Sequence, residues 1–315
     1  MLKQKWSSIL FIFSLMAVLI IAGCGNGEED TESDSTDNAD SGEEEAVNYS
    51  EEVGYNIVGI EPGAGISVTT EKAIEEYDSL AGWTVDLSST AAMMSELDKA
   101  ISNEEPIIVT GWNPHWMFAA YPDLKYLEDP QEIYGGTEVI KTLVRQGLEE
   151  DKPSAYKLLE QFQWDVEDME AIMYESNESG DDIADVAARW VEDNQDKVDA
   201  WKEGVEEVDG EEFELISTPW DSERASANVV ATALEQVGYD VTITPVDIAV
   251  MFEGIANGDG DATVAAWMPM THADFYNEHE GNFEDLGANL EGAKIGLTVP
   301  SYMDIDSIED LEPAE

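Results

Sequence analysis

Three tryptophans, Trp112, Trp220 and Trp267, carry the most specific chemical signal in this chain. Each lies just past a segment that reads as a β-strand, at residues 106–111, 213–217 and 263–266. In open α/β sheets, ligands bind outside the carboxyl ends of the strands. Three indoles at three such ends make an aromatic box, and an indole face attracts a cation through its quadrupole. A quaternary ammonium cannot donate a hydrogen bond, so rings suit it better than a carboxylate does. Core packing is the plainer reading of any one of these residues; the matched strand ends favour the box. A second component is Pro62-Gly63-Ala64-Gly65-Ile66-Ser67, which follows a strand and opens a helix. Unpaired N–H groups and the helix dipole at such a start favour an anion. His272, five residues after Trp267, is a candidate donor to the same anion.

Enzyme chemistry finds little support. There are three histidines, and the sequence holds no His-Glu-x-x-His, Gly-x-Ser-x-Gly or Walker A motif. No catalytic residue, metal site or cofactor is expected. The run Gly258-Asp259-Gly260-Asp261 is too short for a calcium loop.

Cys24 is the single cysteine, so it has no internal disulfide partner. A basic start (Lys3, Lys5), an apolar run from Ile9 to Ala22 and the sequence Ile21-Ala22-Gly23-Cys24 precede or include it. This is the layout of a secretory signal peptide over residues 1–23. The apolar run is shorter than the roughly 20 residues a membrane span needs. It ends on a cysteine, as the lipobox of bacterial lipoproteins does. The expectation is a soluble body held at the extracytoplasmic face of the cell membrane by lipid on Cys24.

The chain holds 71 acidic and 14 basic residues, a formal charge of −57. Phosphate would be repelled, which excludes nucleic acid as a partner. Self-repulsion on this scale suits a protein that works in high salt. Residues 24–52 are almost free of apolar side chains and read as a disordered acidic spacer.

Beyond the spacer the order β-α-β-α-β occurs twice, which predicts an α/β fold with largely parallel sheets. Strands are expected at 55–60, 83–87, 106–111, 213–217, 241–245 and 263–266, and helices at 67–77, 91–101, 222–237 and 250–256. Val109-Thr110-Gly111-Trp112-Asn113-Pro114 parallels Val264-Ala265-Ala266-Trp267-Met268-Pro269, and Tyr121 and Tyr276 each follow their tryptophan by the same interval. The reading is a first α/β lobe at about 53–136, a helical connecting region at 137–210 and a second α/β lobe at about 211–315, with residues 288–315 open to packing on either lobe. Trp164, Trp190 and Trp201 fall at helical spacing and read as packing residues. Two related lobes outside a membrane suit a protein that closes on a ligand.

The segments Gly59-Ile60-Glu61-Pro62-Gly63-Ala64-Gly65-Ile66, Gly111-Trp112-Asn113-Pro114-His115-Trp116-Met117-Phe118, Trp220-Asp221-Ser222-Glu223 and Ala266-Trp267-Met268-Pro269-Met270-Thr271-His272 resemble the glycine betaine-binding lipoproteins of the OpuAC type. The likeness runs in order to Val299-Pro300-Ser301-Tyr302-Met303 and Ser307-Ile308-Glu309-Asp310-Leu311. It implies a two-lobed periplasmic-binding-protein-like fold of type II, with the ligand in the interlobe cleft. It implies that Trp112, Trp220 and Trp267 enclose a trimethylammonium group, while the Gly65 and Ile66 amides and His272 hold the ligand's carboxylate. The implied partners are glycine betaine and an ABC transporter permease, with proline betaine, choline or carnitine as alternative ligands.

Overall fold

A computed structural model describes residues 47–314. Cys24, the signal-peptide segment and most of the acidic spacer lie outside the described residues.

The first β-α-β-α-β pass comprises β1 (Asn56–Gly59), α1 (Gly65–Glu76), β2 (Thr84–Leu87), α2 (Thr90–Asn103) and β3 (Val109–Asn113). A short strand, β4 (Leu124–Tyr126), follows, and then β5 (Glu138–Arg145). After a single helical turn at Leu148–Asp151 come α3 (Pro153–Gln161), α4 (Val166–Ser179), α5 (Ile183–Asp193) and α6 (Gln195–Trp201). The second pass is β6 (Glu211–Ser217), α7 (Asp221–Val237), β7 (Tyr239–Pro245), α8 (Ile248–Asn257) and β8 (Ala262–Met268). The chain continues through α9 (Ala273–His279) into a long strand, β9 (Phe283–Pro300).

Strand order across the described residues is β2-β1-β3-β9-β5-β8-β6-β7, with β4 also on β9. β1 lies parallel to both β2 and β3, and β6 lies parallel to both β7 and β8. Each pass therefore yields a parallel triplet with its first strand in the middle. The two α/β lobes expected from the sequence are these triplets with their helices.

Two antiparallel strands join the triplets, and the sequence reading anticipated neither. Residues 138–145 were expected to be helical but form β5; Val139, Ile140, Thr142 and Val144 are β-branched, and burial largely alternates along the strand. β9 pairs with β5 over its first part, from Phe283 to Ala293, and with β3 over its second, from Lys294 to Thr298. The end of β9 and the tail after it return to the first triplet, one of the two placements the sequence leaves open for residues 288–315. Ser79 Oγ donates to the Ile308 carbonyl and Trp83 Nε1 to that of Glu312, both at 2.8 Å.

The helical middle packs as expected. Trp201 meets Phe162 edge-on at 4.9 Å, and Trp190 lies 5.9 Å from Trp164 and 6.2 Å from Trp201. α7 is the central buried helix, and it ends at Gly238 in the left-handed conformation.

Asp261 fixes the start of β8. It accepts from Lys152 Nζ at 2.6 Å, from the Glu214 amide at 2.9 Å and from Arg145 Nε at 2.9 Å. Burial alone would raise its pKa; these donors outweigh burial and hold the carboxyl below its usual range. A depressed pKa contributes stability that is complete above the unfolded value and is lost as pH falls through the folded one. Asp261→Asn should therefore destabilise the protein by roughly 2–4 kcal/mol at neutral pH, because Lys152 loses its carboxylate partner and Arg145 keeps only Asp151. The gap from wild type in chemical denaturation should shrink below about pH 4. A gap that persists unchanged there would contradict this account.

Candidate functional site

The four inner parallel strands aim their carboxyl ends at one place. Trp112 and Trp267 are the penultimate residues of β3 and β8, and so lie within these strands rather than just past them. Across the antiparallel pairs, Trp112 faces Ile295 and Trp267 faces Ile140. Trp220 follows β6 and is the N-cap of α7. The turn after β1 leads to Gly65 and Ile66 at the start of α1. These residues and His272, at the N-cap of α9, line a single cavity of ≈ 30 Å³ open to the centre of a water-sized sphere. All six residues singled out from the sequence are thus brought together. Ile60, Ala64, Ser222, Glu223, Thr271 and Ile295 complete the lining.

Part of this lining suits an anion. Ala64, the N-cap of α1, is extended (φ −61, ψ 144) and supplies no side-chain cap. Among the described residues, no protein group accepts from the Gly65 or Ile66 N–H. Such orphan donors at a helix start favour negative charge. His272 is buried, and Nδ1 accepts from the Trp267 amide at 3.0 Å. A nitrogen that accepts carries no proton, which puts the ring proton on Nε2. Burial pulls the His272 pKa down to about 3, against an opposing backbone hydrogen bond at Ala265. The ring is a neutral donor throughout the physiological range.

The lining also carries the three indoles, and acids hold two of these rings. Trp267 Nε1 donates to Glu223 Oε1 at 2.7 Å, and Ser222 Oγ donates to Glu223 Oε2 at 2.6 Å. Glu223 is 3% exposed, and burial raises its pKa to about 7. Trp220 Nε1 donates to Glu61 Oε2 at 3.1 Å; Glu61 is fixed by the Thr90 amide and hydroxyl, each at 3.0 Å. Trp112 is backed by buried His115, ring centroids 4.4 Å apart. His115 Nδ1 accepts from the Met117 amide at 3.1 Å, and burial lowers its pKa to about 3.

The wall carrying Thr271 is held by Glu138, which is fully buried at the start of β5. Glu138 accepts from the Met270 amide at 2.7 Å and the Thr271 amide at 2.9 Å, and also from the Thr271 hydroxyl. The sequence reading did not single out Glu61, Glu138 or Glu223 as site residues. Among 71 acids their charge carries no signal, and only their places inside or beside the quoted segments distinguished Glu61 and Glu223.

The sequence family described as the substrate-binding domain of an ABC-type glycine betaine transport system matches residues 31–193 and 212–315. The chain belongs to that family. It is 51% identical over 267 residues to the glycine betaine/carnitine transport binding protein GbuC of Listeria monocytogenes, covering 84% of this chain and 88% of that protein. Among solved structures, lactococcal OpuAC in its closed-liganded conformation with glycine betaine is 44% identical, with a TM-score of 0.46 over 48% of this chain and 59% of that one. A choline-binding protein of an ABC transporter in complex with choline is 25% identical, with a TM-score of 0.43 over 60% of this chain and 61% of that one. The chain thus spans most of the Listeria relative and less than two thirds of either solved chain. The protein is a substrate-binding protein of a glycine betaine/carnitine-type ABC transport system, in a family of transport proteins rather than enzymes.

The closed cavity depends on Gly65. A Cβ there would stand 2.4 Å from the Thr271 carbonyl oxygen and 2.5 Å from its methyl group. Gly65→Ala should keep the Thr271 wall from seating on α1. Titration calorimetry with glycine betaine as the probe should show at least a tenfold loss of affinity, with little change in melting temperature. Unchanged affinity would mean that this contact does not govern enclosure.

Proposed function

We propose that the protein captures glycine betaine outside the cytoplasmic membrane and delivers it to an ABC permease, supporting uptake of a compatible solute under osmotic stress. In this reading Trp112, Trp220 and Trp267 surround the trimethylammonium group. The Gly65 and Ile66 amides and the His272 Nε2–H take the carboxylate. The observation that carries the reading is the mixed lining of one cavity, in which three indoles and a buried acid occur with the unpaired Gly65 and Ile66 amides and a neutral histidine. A small zwitterion with a methylated cation matches both sets of groups.

Magnitudes agree. A desolvated cation–π contact contributes up to about 2 kcal/mol. A hydrogen bond to a charged group contributes roughly 1.5–3 kcal/mol. Three of each exceed the about 8 kcal/mol of a micromolar complex. The surplus offsets desolvation, side-chain ordering and closure of the two halves. Closure stabilised by ligand is the state an importer can distinguish from the empty receptor.

Carnitine is the second reading, supported by the double specificity in the name of the Listeria relative. Anchoring through lipid on Cys24 belongs to the same proposal, as does location at the extracytoplasmic face.

Titration with glycine betaine, proline betaine, carnitine and choline at low and high salt tests the ligand. Glycine betaine should bind most tightly; a preference for carnitine would favour the second reading. Choline lacks a carboxylate, so His272→Ala should weaken glycine betaine at least tenfold and leave choline unchanged. Equal losses would remove His272 from the carboxylate end. Trp267→Ala should abolish betaine binding while the far-ultraviolet circular dichroism spectrum stays native; an unfolded variant would make Trp267 a core residue instead. Cys24→Ser should abolish labelling by a fatty-acid analogue in a bacterial host and release the protein from the membrane fraction. Retention of the label would refute the lipid site.

A further inference from the structure

Glu223 is a buried carboxylate without a protein counter-charge. Its hydrogen-bond partners are the Trp267 indole and the Ser222 hydroxyl, neither of which is a cation. Glu61, half-buried behind Trp220, is held by the Thr90 amide and hydroxyl and by the Trp220 indole, again without a cation. A buried charge is costly unless it is paired. The burial-raised Glu223 pKa of about 7 expresses that cost. The start of α7 offsets part of it, since Glu223 lies in the first turn, where the helix dipole favours an anion.

We infer that Glu223, assisted by Glu61, is a specificity-determining residue that makes the cavity select a cation over an uncharged group of the same shape. The inference rests on the betaine reading above. Two effects act together. Glu223 lines the cavity, so its charge acts on the ligand across a water-poor space of low dielectric. Each acid also accepts an indole N–H, a charge-assisted bond that pushes electron density into the ring and deepens the negative potential on its face. The ligand's methylated nitrogen then serves as the counter-ion that the protein does not provide. Apolar packing by the indoles alone would not distinguish a trimethylammonium group from a tert-butyl group.

The test compares glycine betaine with 3,3-dimethylbutanoate, in which carbon replaces the charged nitrogen. Both are titrated at pH 8 into wild type and into Glu223→Gln. Glutamine keeps the side-chain length and an acceptor oxygen for Trp267 Nε1, so a purely positional role survives the change. The expected result is at least a tenfold loss of affinity for glycine betaine, with affinity for the carbon analogue unchanged or improved. Glu61→Gln should show the same pattern more weakly. A betaine affinity within about threefold of wild type would overturn the inference, as would parallel losses for both ligands. If the analogue binds neither protein, the melting temperature decides. A tenfold betaine loss with an unchanged or raised melt supports the charge role, and the same loss with a lowered melt overturns it. Failure of wild type to bind any betaine would instead remove the functional reading on which the inference stands.

Discussion

A fully methylated nitrogen carries a permanent charge and no hydrogen, and in the proposed reading this sets the form of the site. Ion pairing could balance the charge but could not fix the group's position, since it has no donor to aim. Flat ring faces solve the problem by surrounding the methyl groups while presenting negative potential. The cost lies in scaffolding, because three indoles must converge from separate parts of the chain. Here they come from the ends of β3 and β8 and the start of α7.

The two triplets divide the work. The first supplies Trp112 and the amide end at α1; the second supplies Trp220, Trp267 and His272. Bonds between them fasten the enclosure. Trp220 reaches Glu61, and Trp116 Nε1 reaches Asp221 Oδ2 at 3.3 Å. β9, which pairs with β5 and then with β3, is the strand along which the two halves are continuous. A receptor that must open and close needs such a link beside its cleft, with the seating contacts placed at the mouth. The Gly65–Thr271 approach is one of those contacts.

Much of this was legible in the sequence, for identifiable reasons. The parallel strands and their helices are short, periodic and bounded by turns, so the expected segments fall within a few residues of those observed. The six candidate residues were accessible because three tryptophans and a glycine turn opening a helix sit at strand ends, and His272 follows Trp267 by five residues. β5 and β9 were not. Glu138–Arg145 precedes a long helical region and was absorbed into it, although its β-branched residues argued for a strand. β9 contains Gly287, Gly292 and Gly296, which interrupt any clean alternation, and its partners β3 and β5 lie more than a hundred residues earlier. The acids behind the indoles were hidden for the opposite reason, since a chain with 71 acidic residues gives no contrast to three of them. Burial separates these from the solvated majority, and burial is a property of the fold.

A crystal structure with glycine betaine bound tests the central claim most directly. The account predicts the trimethylammonium group enclosed by the faces of Trp112, Trp220 and Trp267, with carboxylate oxygens within hydrogen-bond distance of the Gly65 and Ile66 amides and His272 Nε2. Betaine density in another cleft, or in this one with the carboxylate turned toward Glu223, would contradict it.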